Sequence, residues 1–327
     1  MKRSIALVAI ALTTAASAYS QATLQGFQNA FSSFTGDMAS SLAVNSTIGS
    51  NWSDAYVGGF PHFGVGIASG AAFTAADGVK PLFDALGQTL PSGLDKLGLP
   101  FPAIGATFKI GLPFLPLDIG IKGGYIPPSV GASLKSLTGV TLDYKNIGIQ
   151  LRYALVKQNI LFPNVSIGAA YNYQQGSVKA PTGIPSQSLS YLAYNVTLAS
   201  PDLNLGWTSN TFDFTAQVSK LLLFIVPYAG LGYSVGSSTV TGGLDSTITT
   251  NYPTGLAGLA SYIQSLGGTA PDFGATGFAY SSTSTTPVFR LYGGFSLRII
   301  ILDFDTQVMY VPSTKALGAS LTTRVQL

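Results

Sequence analysis

The chain has no cysteine, so neither a disulfide framework nor a thiolate metal site is available to it. It has no glutamate either, and all 13 acidic residues are aspartates. With a single histidine, His62, a transition-metal centre is not expected. Charged residues make up 9% of the chain, against about 25% in an ordinary soluble domain. Glutamate and lysine normally fill exposed helix faces, so their scarcity argues against a helical protein. Beyond the N-terminal region no run of about 18 apolar residues occurs, which argues against membrane-spanning helices.

What fills the 327 residues is Gly (38), Phe (19) and Tyr (16), together with abundant Ser and Thr. Aromatic and β-branched residues fit strands. The first residues read as a secretory signal peptide over 1–18. Lys2 and Arg3 form a basic start, residues 5–15 an apolar run, and Ala16-Ser17-Ala18 an A-x-A cleavage site, so the mature chain is expected to begin at Tyr19. Removing Lys2 and Arg3 leaves 16 − 2 = 14 basic against 13 acidic residues. No basic surplus remains to suggest nucleic acid as a partner.

Downstream, segments of roughly ten residues alternate strictly. Ile147, Ile149, Leu151, Tyr153 and Leu155 share one face, opposite Gly148, Gln150, Arg152 and Ala154. Val165, Ile167, Ala169, Tyr171 and Tyr173 oppose Asn164, Ser166, Gly168, Ala170, Asn172 and Gln174. Similar alternation runs through residues 63–73, 104–112, 115–125, 212–219, 289–297, 302–310 and 317–327. The non-aromatic face is mostly small and uncharged. Small polar residues suit the inside of a barrel, while aliphatic and aromatic residues suit a lipid-facing outside. Closure into a barrel also satisfies every backbone group within a bilayer.

The connections support the same reading. Short apolar ones at 112–115, 157–163, 220–224 and 299–301 alternate with long Gly/Pro/Ser-rich ones at 74–102, 126–138, 176–187 and 236–286. That asymmetry is expected of short periplasmic turns and long outer loops. The fold expected is an all-β, antiparallel transmembrane β-barrel of about 12 strands (10 to 14) over residues 62–327. In residues 189–211 the alternation fits either face outward.

Residues 23–48 follow a different period. Leu24, Phe27, Phe31, Phe34, Met38 and Leu42 recur every three or four positions, which is a helical stripe. A helical segment within residues 19–61 would sit inside the barrel as a plug, with Phe27, Phe31, Phe34 and Met38 as its apolar face; a periplasmic or interfacial helix is the alternative. Amphipathic pieces at 81–97 and 255–266 would either cap the barrel or form an apolar entry. The polar faces of the strands carry Arg152, Asp213, Arg290, Arg298, Asp303, Asp305 and Arg324. These are expected to form a luminal charge network, which either neutralises buried charge or lines a conduction path.

An N-terminal helix ahead of the first strand, apolar loop helices and about a dozen strands resemble the FadL family of outer-membrane hydrophobic-compound channels. The likeness is architectural. Where that family has Asn-Pro-Ala, this chain has Asn29-Ala30 without proline, so no site residue is carried over. The resemblance implies passive passage of small hydrophobic molecules.

Two runs look like enzyme motifs. Gly232-Tyr233-Ser234-Val235-Gly236 fits G-x-S-x-G, but no strand-to-helix elbow follows and the lone histidine is far away in sequence. The run 64–70, GVGIASG, has neither dinucleotide-loop spacing nor an α/β pattern after it. Neither a catalytic function nor a cofactor is expected. The expectation is a bacterial outer-membrane barrel, in contact with outer-membrane lipid and the barrel-assembly machinery, passing small hydrophobic molecules. The alternative is a closed structural or adhesive surface barrel that presents its long loops.

Overall fold

The computed structural model describes residues 29–85, 94–181, 185–191, 194–265 and 277–327. The expected signal peptide, Leu24 and Phe27 lie outside them. Among the described residues fourteen strands occur, and ten close into a barrel: β1 (Phe63–Phe73), β2 (Pro100–Gly111), β3 (Leu117–Tyr125), β4 (Thr141–Val156), β5 (Asn164–Pro181), β8 (Asp202–Ser219), β9 (Ile225–Asp245), β12 (Val288–Ile299), β13 (Leu302–Val311) and β14 (Ala316–Gln326). Each pairs antiparallel with its neighbours. β14 meets β1 over Gly64↔Gln326 to Ala72↔Gly318, and β8 meets β9, which leaves no open edge around the ring.

The expected 12 strands are therefore ten. The count is left open by residues 189–211, where two strands stand outside the ring, and two more lie within the expected loop 236–286. β6 (Gln187–Tyr191), β7 (Tyr194–Leu198) and β10 (Ile248–Thr250) form a separate three-stranded sheet, and β11 (Gly277–Ser284) pairs with the far half of β9. Period-2 patterning reports a pleated strand and is silent on which strand it pairs with. Two expected loops also shrink. β5 continues to Pro181 and β9 to Asp245, so much of 176–187 and 236–286 is strand. A third, 126–138, holds helix α4 (Pro128–Thr138), begun by proline in its first turn and ended by left-handed Gly139.

Outward residues change character along the wall. On β13, Leu302, Phe304, Val308 and Tyr310 are exposed while Asp303, Asp305, Gln307, Met309 and Val311 are buried. The same split holds on β4, with Ile147, Ile149, Leu151 and Tyr153 outside and Gln150 and Arg152 inside. Toward the loop end the outer face turns polar, with Gln175, Ser177 and Lys179 on β5 and Thr208 and Asn210 on β8. A transmembrane strand needs only about 9–11 residues. The 18 residues of β5, 18 of β8 and 21 of β9 therefore carry one side of the wall well past the apolar band.

Three turns at the opposite end hold large apolar residues in the left-handed region: Phe114 (φ 65°), Leu223 (φ 59°) and Ile300 (φ 59°). That conformation costs an L-residue about 1–2 kcal/mol, and most for a β-branched one. Ile300 is almost fully exposed and recovers little by packing. Ile300→Asn should therefore raise stability by about 1 kcal/mol in detergent unfolding, since asparagine tolerates this region. A lower stability would show that the isoleucine is held by contacts stronger than the strain.

Helix α1 covers residues 29–45, followed by a turn at 46–50 and an extended stretch to the first strand. Its apolar stripe, Phe31, Phe34, Met38 and Leu42, is fully buried against wall residues that include Phe101, Trp207 and Val240. Residue 242 on β9 must be glycine for this packing, because a Cβ there would lie 2.4 Å from the Phe31 ring. In the loops, α2 (Ala76–Ala85), α3 (Leu94–Leu97) and α5 (Gly255–Ser265) occupy parts of the expected amphipathic pieces.

Candidate functional site

The bore divides into two halves. The loop-side half is apolar and takes α1. The other half is polar and takes residues 46–57, nearly all of them buried. That extended stretch is tied to the wall on almost every side. Lys122 of β3 donates to the carbonyls of Ser46 and Ile48, and Lys109 of β2 to that of Ser50. Asn172 of β5 meets Ser50 Oγ, Thr211 of β8 meets Ser46 Oγ, and Gln217 of β8 donates to Trp52 O at 2.7 Å. Asp305 of β13 accepts from Ser53 N at 2.8 Å, and Arg324 of β14 donates to Ser53 Oγ at 2.8 Å. Ser219 of β8 accepts from Ala55 N, and Arg152 of β4 donates to Asp54 O at 2.7 Å.

The indole of Trp52 lies between two cations, Lys109 Nζ at 4.8 Å and the Arg324 guanidinium at 4.9 Å from its ring centre. Each such contact is worth about 0.5–2 kcal/mol. The spaces left between the segment and the wall are small. One beside Lys109, Gly120 and Lys122 measures about 10 Å³, room for roughly one water.

The seven charged residues expected to share a network fall into three groups. Arg298 donates to Asp303 Oδ1 at 3.0 Å and to Asp54 Oδ2 at 2.7 Å. Arg324 reaches Asp305 at 3.3 Å and Asp303 at 3.7 Å. Tyr228 donates to the other oxygen of Asp305 at 3.0 Å. Asp303 stands directly opposite Arg324 on one neighbouring strand and Arg298 on the other, so the register itself sets these pairs.

Arg290 and Asp213 form a second, separate group, with both side chains fully buried. Arg290 sits on β12 and Asp213 on β8, and β9 lies between them. The guanidinium crosses β9 over Gly232, where a Cβ would stand 2.4 Å from its Cζ, and binds both carboxylate oxygens, one at 2.8 Å. Ser234 of the G-x-S-x-G run donates to the same carboxylate at 2.7 Å. That serine is a strand residue within an ion pair.

The third group is Arg152 with Asp118, its direct cross-strand partner on β3. It meets the first group only through Asp54. Sequence reasoning missed Asp118, Lys109, Lys122 and Asp54. The first three were findable, because each alternates with an outward apolar neighbour: Ile119 beside Asp118, Phe108 beside Lys109 and Ile121 beside Lys122. Asp54 lies in a stretch without period and gives no signal. On α1, outside the strands, burial and then the charge of Asp77 hold the Asp37 carboxyl above the usual range. Among the described residues no group of three His, Asp, Cys or Glu could hold a metal ion.

No family model and no curated protein sequence matches the chain. Solved structures similar to it include Ail, the attachment invasion locus protein of Yersinia pestis, at 8% identity over 81% of this chain and 95% of that one, with a TM-score of 0.26. They also include the translocator domain of the autotransporter NalP from Neisseria meningitidis (9% identity, 82% and 88% covered, TM-score 0.32). A third is the Ralstonia pickettii toluene transporter TbuX (10% identity, 83% and 90% covered, TM-score 0.26). Likeness at this level transfers no role, so function must be read from this barrel's own interior and surface. What the chain shows by itself is a closed, antiparallel, ten-stranded barrel with an N-terminal helix inside it.

Proposed function

We propose that the protein is a bacterial outer-membrane barrel, sealed by its own N-terminal segment, that serves as a closed surface scaffold. The membrane reading rests on exposed large apolar side chains recurring on the outer face of strand after strand, among them Ile67, Ile121, Ile149, Phe212, Leu231, Phe289, Phe304 and Leu321. The observation that carries the sealed reading is the anchoring of residues 46–57. Strands β2, β3, β4, β5, β8, β12, β13 and β14 all hold that stretch through side-chain hydrogen bonds or ion pairs. In this reading the long β5–β8–β9 wall and the small β6–β7–β10 sheet stand at the cell surface, and the luminal ion pairs keep the seal in register. The test is electrical: the refolded wild-type protein in planar bilayers should be silent over a wide voltage range. Stepwise conductance from wild type would overturn it.

A second reading, passage of small hydrophobic molecules, is favoured by the apolar socket that α1 occupies. The helix itself makes few polar bonds to the wall, among them Ser41 Oγ to Phe73 O and Gln174 to Leu42 O. Displacement of α1 would leave an apolar site open to the loop side. Faster uptake of a hydrophobic fluorescent dye by cells making the protein supports this reading, and uptake equal to that of control cells removes it.

A further inference from the structure

The direction in which residues 29–57 run through the barrel has a consequence for the side of the membrane on which α1 starts. Phe31, near the start of α1, packs beside Gly242, far out on the loop-side half of β9. Ser41 and Asn45 bond Phe73 O and Pro102 O, where β1 and β2 end and begin on the loop side. Ser50 bonds Asn172 in mid-wall and the long side chain of Lys109, which rises from two residues before the short-turn end of β2. Asp54 and Ala55 reach Arg298 and Ser219, next to the short turns. The order of contacts is monotonic. The chain enters the bore at the loop face, descends its whole length and leaves beside the short turns, where β1 starts.

We propose that Asn29 and Ser33 at the head of α1 are exposed at the cell surface, so that α1 starts on the outer side of the membrane and not on the periplasmic one. This rests on the outer-membrane reading, with the long loops outside. Asn29 and Ser33 are both exposed in the mouth of the barrel while Ala30, Phe31 and Phe34 are buried, so they are accessible without displacing the helix. Nothing ionic opposes this placement. The charged anchors of the segment, Asp54 with Arg298 and Arg152, lie at the other end.

The absence of cysteine makes the test clean. Asn29→Cys and Ser33→Cys are made singly and labelled on intact cells with a membrane-impermeant maleimide. Ser136→Cys on α4 is the loop-face control, and Lys157→Cys in the β4–β5 turn is the short-turn control. Both control positions are exposed. Labelling after denaturation gives the total for each variant. The expected result is near-total labelling at 29, 33 and 136, with at least a tenfold lower level at 157 until the outer membrane is permeabilised. Labelling at 136 but not at 29 or 33 in intact cells overturns the inference and leaves the outer-membrane reading standing. Labelling at 157 but not at 136 overturns both, because the barrel would then be inverted.

Discussion

Replacing Asp213 with leucine should cost the barrel about 3–5 kcal/mol, because it leaves the Arg290 guanidinium buried without its counter-charge. Both side chains are fully buried, so water cannot take the place of the carboxylate. Asp213→Asn keeps one acceptor oxygen for the guanidinium and should cost less. The double variant Asp213→Leu, Arg290→Met should recover most of the loss, since a matched apolar pair needs no desolvation of charge. Gly232→Ala should behave like the single variant, because its methyl group would stand where the guanidinium crosses β9. Urea unfolding in detergent, read by the heat-modifiable shift of the folded barrel on gels, measures each. Equal midpoints for wild type and Asp213→Leu would show that the pair contributes nothing to stability.

Deleting residues 29–57 should turn a silent barrel into a conducting one, whereas deleting α1 alone, residues 29–45, should not. The distinction follows from where the seal lies. α1 fills the apolar half, but the polar half is closed by the stretch beyond it, anchored from nearly every side. Removing both also unbalances the lumen, because residues 29–57 carry Asp37 and Asp54 and no basic residue. Lys109, Lys122, Arg152, Arg290, Arg298 and Arg324 would then face Asp118, Asp213, Asp303 and Asp305, a balance of 6 − 4 = +2. The opened pore should therefore prefer anions, shown by its reversal potential in a salt gradient. Conductance from the shorter deletion would move the seal to the helix and favour hydrophobic passage. Silence from the longer deletion, in protein verified as folded, would mean that the wall collapses inward without its contents.

The barrel itself was legible because its walls obey one rule. In the half nearer the short turns the strands are mostly apolar outside and small or polar inside, so Ile147, Ile149 and Leu151 could be assigned without knowing their neighbours. What alternation does not encode is pairing, and that is why the stretch 189–211, which holds β7 and the end of β6, left the strand count open. Among the charged residues, those on strands were legible as inward-facing. Their grouping was not, because it depends on register. Arg290 reaches Asp213 across an intervening strand, at a place fixed only by the absence of a side chain at Gly232. Asp54 was out of reach altogether. Its role comes from threading, which no local pattern reports.

The threaded segment makes the molecule a kind of rotaxane, a ring closed around an axle that belongs to the same chain. The ring's seam joins its first strand to its last, β1 to β14, so it cannot close until the final residues arrive. Once it has closed, the axle can leave only lengthwise, with the head of α1 drawn down through the charged half of the bore. A bulky folded group attached ahead of residue 29 would act as a stopper. It would turn a reversible plug into a mechanical bond, one that persists however weak the individual contacts become.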